Sequence, residues 1–165
     1  MDPAETRQRF RAAMEAGDHG AAVATFAPDI VLRSPIIGGR FEGRQAVGDL
    51  MGAVIETVED LRYTVEAADA DGTQILAFSA RVRERNIDAV DLLRVNEEGL
   101  ISEFVVHIRP MAGLAAVAAA LGPRIARGPM SRVLVRLFAA PLVVLLSAAD
   151  PLIPRLIRTR SELGT

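Results

Sequence analysis

The stretch Ile87-Asp-Ala-Val-Asp-Leu-Leu-Arg-Val95 alternates as a strand does, and Asp91 falls on its apolar side. A buried carboxylate without a partner is costly, so it must be satisfied, moved to the surface, or used. Among apolar neighbours it keeps its proton, and a protonated acid can donate a hydrogen bond to a ligand carbonyl. The structural alternative is a bond from Asp91 to a backbone N–H, an arginine or a trapped water. Other reactive groups are scarce. His19 and His107 are the only histidines, far apart and without acids at ligand spacing, so no metal site is expected. With no cysteine there is neither a disulfide nor a thiolate site. All 19 basic residues are arginine, which excludes lysine Schiff-base chemistry. One Tyr and six Phe make a poor stacking surface for nucleic acid. Gly38-Gly39 lacks the context of a phosphate loop.

Several elements must position Asp91. Helical spacing predicts a helix over Pro3–Ala16, with Phe10, Ala13 and Met14 on one face. Gly17 ends it, and Asp18 caps a second helix from His19 to Phe26. Pro28-Asp29 breaks that helix, and Ile30–Pro35 reads as a short strand. Gly43 opens a third helix with Val47, Leu50, Met51, Val54 and Ile55 inward. Four strands follow, over Leu61–Glu66, Gln74–Arg83, Ile87–Val95 and Leu100–Arg109. Their short connections demand an antiparallel meander. A four-residue turn at Asn96–Gly99 sets Val95 opposite Leu100 and Asp91 opposite Phe104. Asp91, Phe104, Val106 and Ile108 then share an apolar face, while Glu103, His107 and Arg109 face outward. A slip of one residue would invert this. An alanine-rich helix over Met111–Leu121, ended by Gly122-Pro123, completes the pattern.

The ordered motifs Ala16-Gly17-Asp18, Phe26-Ala27-Pro28-Asp29, Phe41-Glu42-Gly43-Arg44-Gln45-Ala46-Val47 and Asp91-Leu-Leu-Arg94 before Gly99-Leu-Ile101 carry a resemblance. Over about residues 4–115 the chain resembles the SnoaL-like branch of the nuclear transport factor 2-like superfamily. The resemblance implies an α+β fold, a cone-like curved antiparallel sheet wrapped around three N-terminal helices. The open end of such a cone is usually a small-molecule pocket. Members include isomerases, cyclases, epoxide hydrolases and non-catalytic modules, so fold alone does not name the function.

Carried over by those motifs, the oxyanion-hole acid of ketosteroid isomerases falls on Asp91. Their general base falls on Ser34 and their oxyanion tyrosine on Phe10. A serine without a neighbouring base does not take a proton at neutral pH, and phenylalanine donates none. Epoxide-hydrolase-like members need a second carboxylate, whose position falls on Val106, and a guanidinium that Arg81 could supply. A single acid–base carboxylate, as in SnoaL-like cyclases, is the scheme the surviving residues allow. The expected pocket comprises Phe10, Met14, Met51, Tyr63, Phe78, Phe104, Val106 and Ile108, with Asp91 and Ser34 as its polar groups. It suits an apolar polyketide-, terpenoid- or steroid-like ligand with one or two oxygens. Asp91 is the one catalytic candidate, for isomerase, cyclase or hydrolase chemistry, and no cofactor or metal is required.

Residues 116–165 form an expected helical, apolar and arginine-rich extension to a domain at residues 1–115. Residues 1–109 carry 12 Arg against 19 acids, or −7; residues 110–165 carry 7 Arg against 2 acids, or +5. Val133 to Ala149 carries one charge, Arg136, and contains Pro141, short of the ~20 apolar residues of a membrane span. It could be a lid over the cone, a dimer element, or a peripheral membrane contact. The alternative to ligand binding is therefore a non-enzymatic dimerisation or membrane-associated module whose pocket is plugged by its own segment, through residues such as Leu134 or Leu145. The resemblance implies a homodimer. Met1-Asp-Pro-Ala-Glu5 lacks the pattern of a signal peptide, so a cytoplasmic protein is expected.

Overall fold

The computed structural model describes residues 2–125. The expectations for the segment after Ile125, its helical character and a lid, dimer or membrane role, lie outside the described residues. Helix α1 (Pro3–Ala16) starts at Asp2, whose carboxylate accepts from the N–H of Ala4, with Pro3 in the first turn. Gly17 ends it in the left-handed conformation, φ 67°. Asp18 caps α2 (His19–Val23) by accepting from the N–H of Ala21. Strand β1 (Phe26–Arg33) and the short β2 (Arg40–Glu42) lead to α3 (Arg44–Ile55). Strands β3 (Glu59–Ala68), β4 (Gln74–Val82), β5 (Arg85–Val95) and β6 (Ile101–Arg109) follow, then helix α4 (Met111–Ile125).

One curved, unclosed six-stranded sheet runs β2-β1-β6-β5-β4-β3. Its pairs are antiparallel except β1 with β6, which run parallel because the whole β2–β5 excursion joins them. The second helix is shorter than its pattern suggests, and β1 starts four residues earlier, at Phe26 rather than Ile30. Pro28 is tolerated in β1 because the β1/β6 ladder breaks between the pairs Phe26–Ile101 and Val31–Glu103. An irregular stretch asks no ladder hydrogen bond of a proline. Helix α4 also runs past Gly122-Pro123 to Ile125, with the Arg124 guanidinium donating to Ala120 O in the turn that Pro123 loosens. The 115/116 division falls within α4, where Ala112 and Ala115 before it and Val117, Ala120 and Leu121 after it are all buried.

Two apolar clusters hold the layers together. Phe10, Ala13 and Met14 of α1 and Val47, Leu50 and Met51 of α3 pack on Leu32, Leu76, Leu93 and Phe104 of the sheet. Ala116, Val117, Ala120 and Leu121 of α4 cover Ala80, Val82 and Ile87. Polar ties close the seams. The Thr6 hydroxyl donates to Gly99 O at 2.7 Å, joining α1 to the β5–β6 turn. The Arg44 guanidinium donates to Phe26 O at 2.5 and 2.9 Å, fixing the start of α3 to β1. No helix among the described residues is long and apolar enough to cross a membrane.

Candidate functional site

The cavity between sheet and helices is apolar on nearly every side. Met14 enters from α1, and Leu50, Met51 and Val54 from α3. Tyr63 of β3, Phe78 of β4, Ile87 and Asp91 of β5, and Phe104, Val106 and Ile108 of β6 form the sheet wall. Ser34, Pro35 and Ile36 close one rim after β1, and Val117, Leu121 and Ile125 of α4 lie across the other. The cavity volume is about 70 Å³, a narrow slot partly open to solvent.

The β5/β6 register differs from the simple-turn expectation. Asp91 pairs with Val106, and Phe104 pairs with Leu93. Val95 pairs with Ile101, one residue beyond Leu100, and a bulge between Arg94 and Val95 adds a second residue. Two one-residue slips cancel in face, so Phe104, Val106 and Ile108 still point the same way as Asp91.

Phe10 does not line the cavity, contrary to expectation. It is fully buried, 5.9 Å from the Phe26 ring and edge-on to Phe104 at 5.4 Å. Phe104 itself lines the cavity and stands between the two. Met14, one turn later on α1, takes the place at the cavity wall. Arg81 is likewise outside: its guanidinium bonds Glu59 at 2.8 Å and Asp60 at 3.0 Å on the exposed strand end. The other expected lining residues, Met14, Ser34, Met51, Tyr63, Phe78, Asp91, Phe104, Val106 and Ile108, all line the cavity. Ser34 Oγ accepts from the N–H of Ile36 at 3.2 Å, which leaves its own O–H to donate. His107 is exposed, and His19 Nε2 lies 2.8 Å from Gly48 O, on the outer side of α3.

Asp91 is 3% exposed. The Tyr63 hydroxyl donates to its Oδ2 at 3.1 Å. Among the described residues the other oxygen, Oδ1, has no hydrogen-bond partner. Burial pushes the Asp91 carboxyl up to about 8, and the bond from Tyr63 lowers it only in part. Burial also raises the Tyr63 phenol well above its ordinary value, with the Asp91 charge adding to the rise. At neutral pH the pair is therefore mostly a neutral acid accepting from a neutral phenol, with one acid oxygen left to engage whatever fills the slot. Among the described residues lining the cavity, Asp91 is the sole carboxylate, and no group of three or more His, Asp or Glu is placed to hold a metal ion.

Sequence reasoning missed the Tyr63–Asp91 bond and the part played by α4. A signal existed for each. Tyr63 is the only tyrosine, on a strand that alternates inward there, and Val117, Leu121 and Ile125 repeat at every fourth residue, one face of a helix.

A search of curated proteins finds no match. Among solved structures, a steroid delta-isomerase from Pseudomonas aeruginosa is 33% identical with a TM-score of 0.71, over 75% of this chain and 91% of that one. An uncharacterized bacterial protein with a cystatin-like fold from Silicibacter pomeroyi DSS-3 is 28% identical with a TM-score of 0.69, over 72% and 84%. The epoxide hydrolase/cyclase-like enzyme SalBIII, with a role in pyran ring formation in the polyether salinomycin, shares the fold at 21% identity and a TM-score of 0.58, over 67% and 92%. Residues 7–104 match the SnoaL-like domain, spanning all three N-terminal helices and the sheet as far as Phe104. The chain belongs to the SnoaL-like domain family.

Proposed function

We propose that the cavity binds a small, flat, apolar molecule with a carbonyl or hydroxyl oxygen, and that Asp91 holds that oxygen. One observation carries this reading: a buried acid, one of whose oxygens has no partner among the described residues, lines an otherwise greasy slot. Any chemistry is a proton shift through Asp91 alone. As the carboxylate it takes a proton from carbon, and as the acid it returns that proton to another carbon, so no second reactant is consumed. A group titrating at about 8 has usable amounts of both forms near neutrality. Likeness to a steroid delta-isomerase supports an isomerase-type role, while Ser34 and Phe10 stand against the three-group machinery expected of such enzymes. Water activation by paired carboxylates has no support, because Val106 faces Asp91 where a second acid would be needed.

The test uses two probes. Fluorescence titration with 2-naphthol reads binding, and absorbance of the conjugated ketone formed from 5-androstene-3,17-dione reads proton transfer. Saturable 2-naphthol binding that weakens in Asp91→Leu supports the site. Turnover lost in Asp91→Asn adds the acid–base role. Absence of both binding and turnover sinks the reading.

A second reading is favoured by the place where α4 leads. Ile125, the last described residue, itself lines the cavity, and the apolar run Val133 to Ala149 follows it. In that reading the run plugs the slot, and the protein is a homodimeric or membrane-associated module. Leu134→Glu and Leu145→Glu in the full chain then increase 2-naphthol affinity, light scattering gives the dimer mass, and the protein pellets with anionic vesicles.

A further inference from the structure

The hydroxyl of Tyr63 reaches Asp91 from a strand that is irregular at that point. Strand β3 is the outer edge of the sheet, next to β4 only. Its register with β4 shifts at this place: Tyr63 pairs with Phe78 and Val65 with Ala77, which leaves Thr64 as an extra residue. Such a bulge re-aims the side chains beside it. The N–H of Tyr63 donates to Glu15 Oε1 of α1 at 2.9 Å. Glu15 is itself held in place. Arg11 Nε lies 3.4 Å from Glu15 Oε2, and the Arg11 guanidinium also bonds Glu66 of β3. Arg7 joins the same network through Glu66 at 3.2 Å and Gln74 at 2.6 Å. Arg7, Arg11 and Glu15 follow at every fourth residue, so a single stripe of α1 is fastened along the β3 edge.

We infer that Glu15 is a positioning residue, whose grip on the Tyr63 N–H at the bulge sets the reach of the Tyr63 hydroxyl to Asp91. The inference rests on the reading of Asp91 as the working group of the cavity. It adds to that reading a carboxylate outside the cavity that governs the state of the acid inside. The groups bearing on Asp91 are few. Tyr63 is the titratable neighbour from β3, and Glu15 and Arg11 of α1 bear on Tyr63. The faces offered by α3, β4, β6 and α4 are apolar.

The test is a carbon-13 carboxyl titration of Asp91 in the ligand-free full chain, with the signal assigned by its loss in Asp91→Asn. Glu15→Ala removes the acceptor, and Glu15→Asp is one methylene too short for it while keeping the charge beside Arg11. In both, the bond from Tyr63 slackens and the Asp91 midpoint rises by about one pH unit, the size of one lost charge-assisted hydrogen bond. Glu15→Gln retains an acceptor oxygen and restores the wild-type midpoint. If Glu15→Ala does not fold, Glu15→Asp decides alone. A lowered melting temperature with the Asp91 midpoint unmoved makes Glu15 a fastener of the sheet edge and overturns the inference. Because the titration uses no ligand, failure of 2-naphthol to bind refutes the binding reading without touching this result.

Discussion

Replacing Asp91 by asparagine tests the physical claim beneath the site. Asparagine has nearly the same shape and keeps an oxygen for the Tyr63 hydroxyl, but it cannot ionise. The Asp91 carboxyl titrates at about 8 in the fold, against a model value of 3.8. An acid raised in this way gives stability that is complete below its unfolded value and is lost as pH climbs through the folded one. Between the two values the folded state binds a proton that the unfolded state has released, so wild-type stability falls by ~1.4 kcal/mol per pH unit from this group. From pH 5 to pH 7 the loss amounts to about 3 kcal/mol. Burial of the charge is its main cause. Other carboxylates titrate too, but most of their contribution cancels in the difference between wild type and variant. Urea unfolding at pH 5, 6 and 7 reads that difference from midpoint and slope. Asp91→Asn should gain steadily on wild type across the series. A difference constant to within ~0.5 kcal/mol refutes the reasoning, because an ordinary carboxyl of ~3.9 is already ionised in both states over this range.

Tyr63→Phe removes the bond that lowers the Asp91 carboxyl, so the Asp91 midpoint moves upward by carbon-13 titration, and unfolding shows a steeper loss of stability above neutrality. Phe10→Leu costs roughly 1–2 kcal/mol in urea unfolding, since it trims a ring packed on Phe26 and Phe104, yet leaves 2-naphthol affinity unchanged because Phe10 does not line the cavity. Gly113→Ala places a Cβ 2.6 Å from Ile87 Cγ2 and 3.3 Å from Asn86 O. Despite the better helix propensity of alanine, α4 must lift from β5 at a cost of about 1–3 kcal/mol, seen as a lower melting temperature and weaker 2-naphthol binding.

The order of elements was legible where a boundary has a local cause: Asp18 as a cap, Gly17 as a stop, and Gly43 at the head of α3. The inward face of β6 was also legible, although its register was not. A bulge leaves no local mark that counting residues across a turn can detect. The face survived because the turn and the bulge contribute one residue each. The Tyr63–Asp91 bond was hidden for a different reason. Strand β4 lies between β3 and β5, and the two residues belong to different cross-strand rows, Tyr63 with Phe78 and Asp91 with Leu76. Their contact depends on sheet curvature and on the Thr64 bulge, both long-range properties.

The residues that argue against a full isomerase machinery leave Asp91 with few polar neighbours. Phe10 is sealed in the core, Ser34 Oγ accepts from the N–H of Ile36, and Val106 offers a methyl pair opposite Asp91. Of these positions only Phe10 stands where the resemblance implies a donor; at Ser34 and Val106 it implies carboxylates, whose like charge would raise Asp91 further. Desolvation then goes unanswered except by Tyr63, and Asp91 holds its proton up to about 8. A charged companion at Val106 would test this causal link directly. Val106→Arg sets a cation beside Asp91 and should drop the Asp91 midpoint by one unit or more, as an opposite charge within ~4–6 Å does. The acid would then be ionised to a larger share at neutral pH, so a ligand carbonyl would lose its donor, while the hydroxyl of 2-naphthol would still donate to the carboxylate. If the midpoint in Val106→Arg stays near 8 while the protein remains folded, apolar surroundings are not what keeps Asp91 protonated.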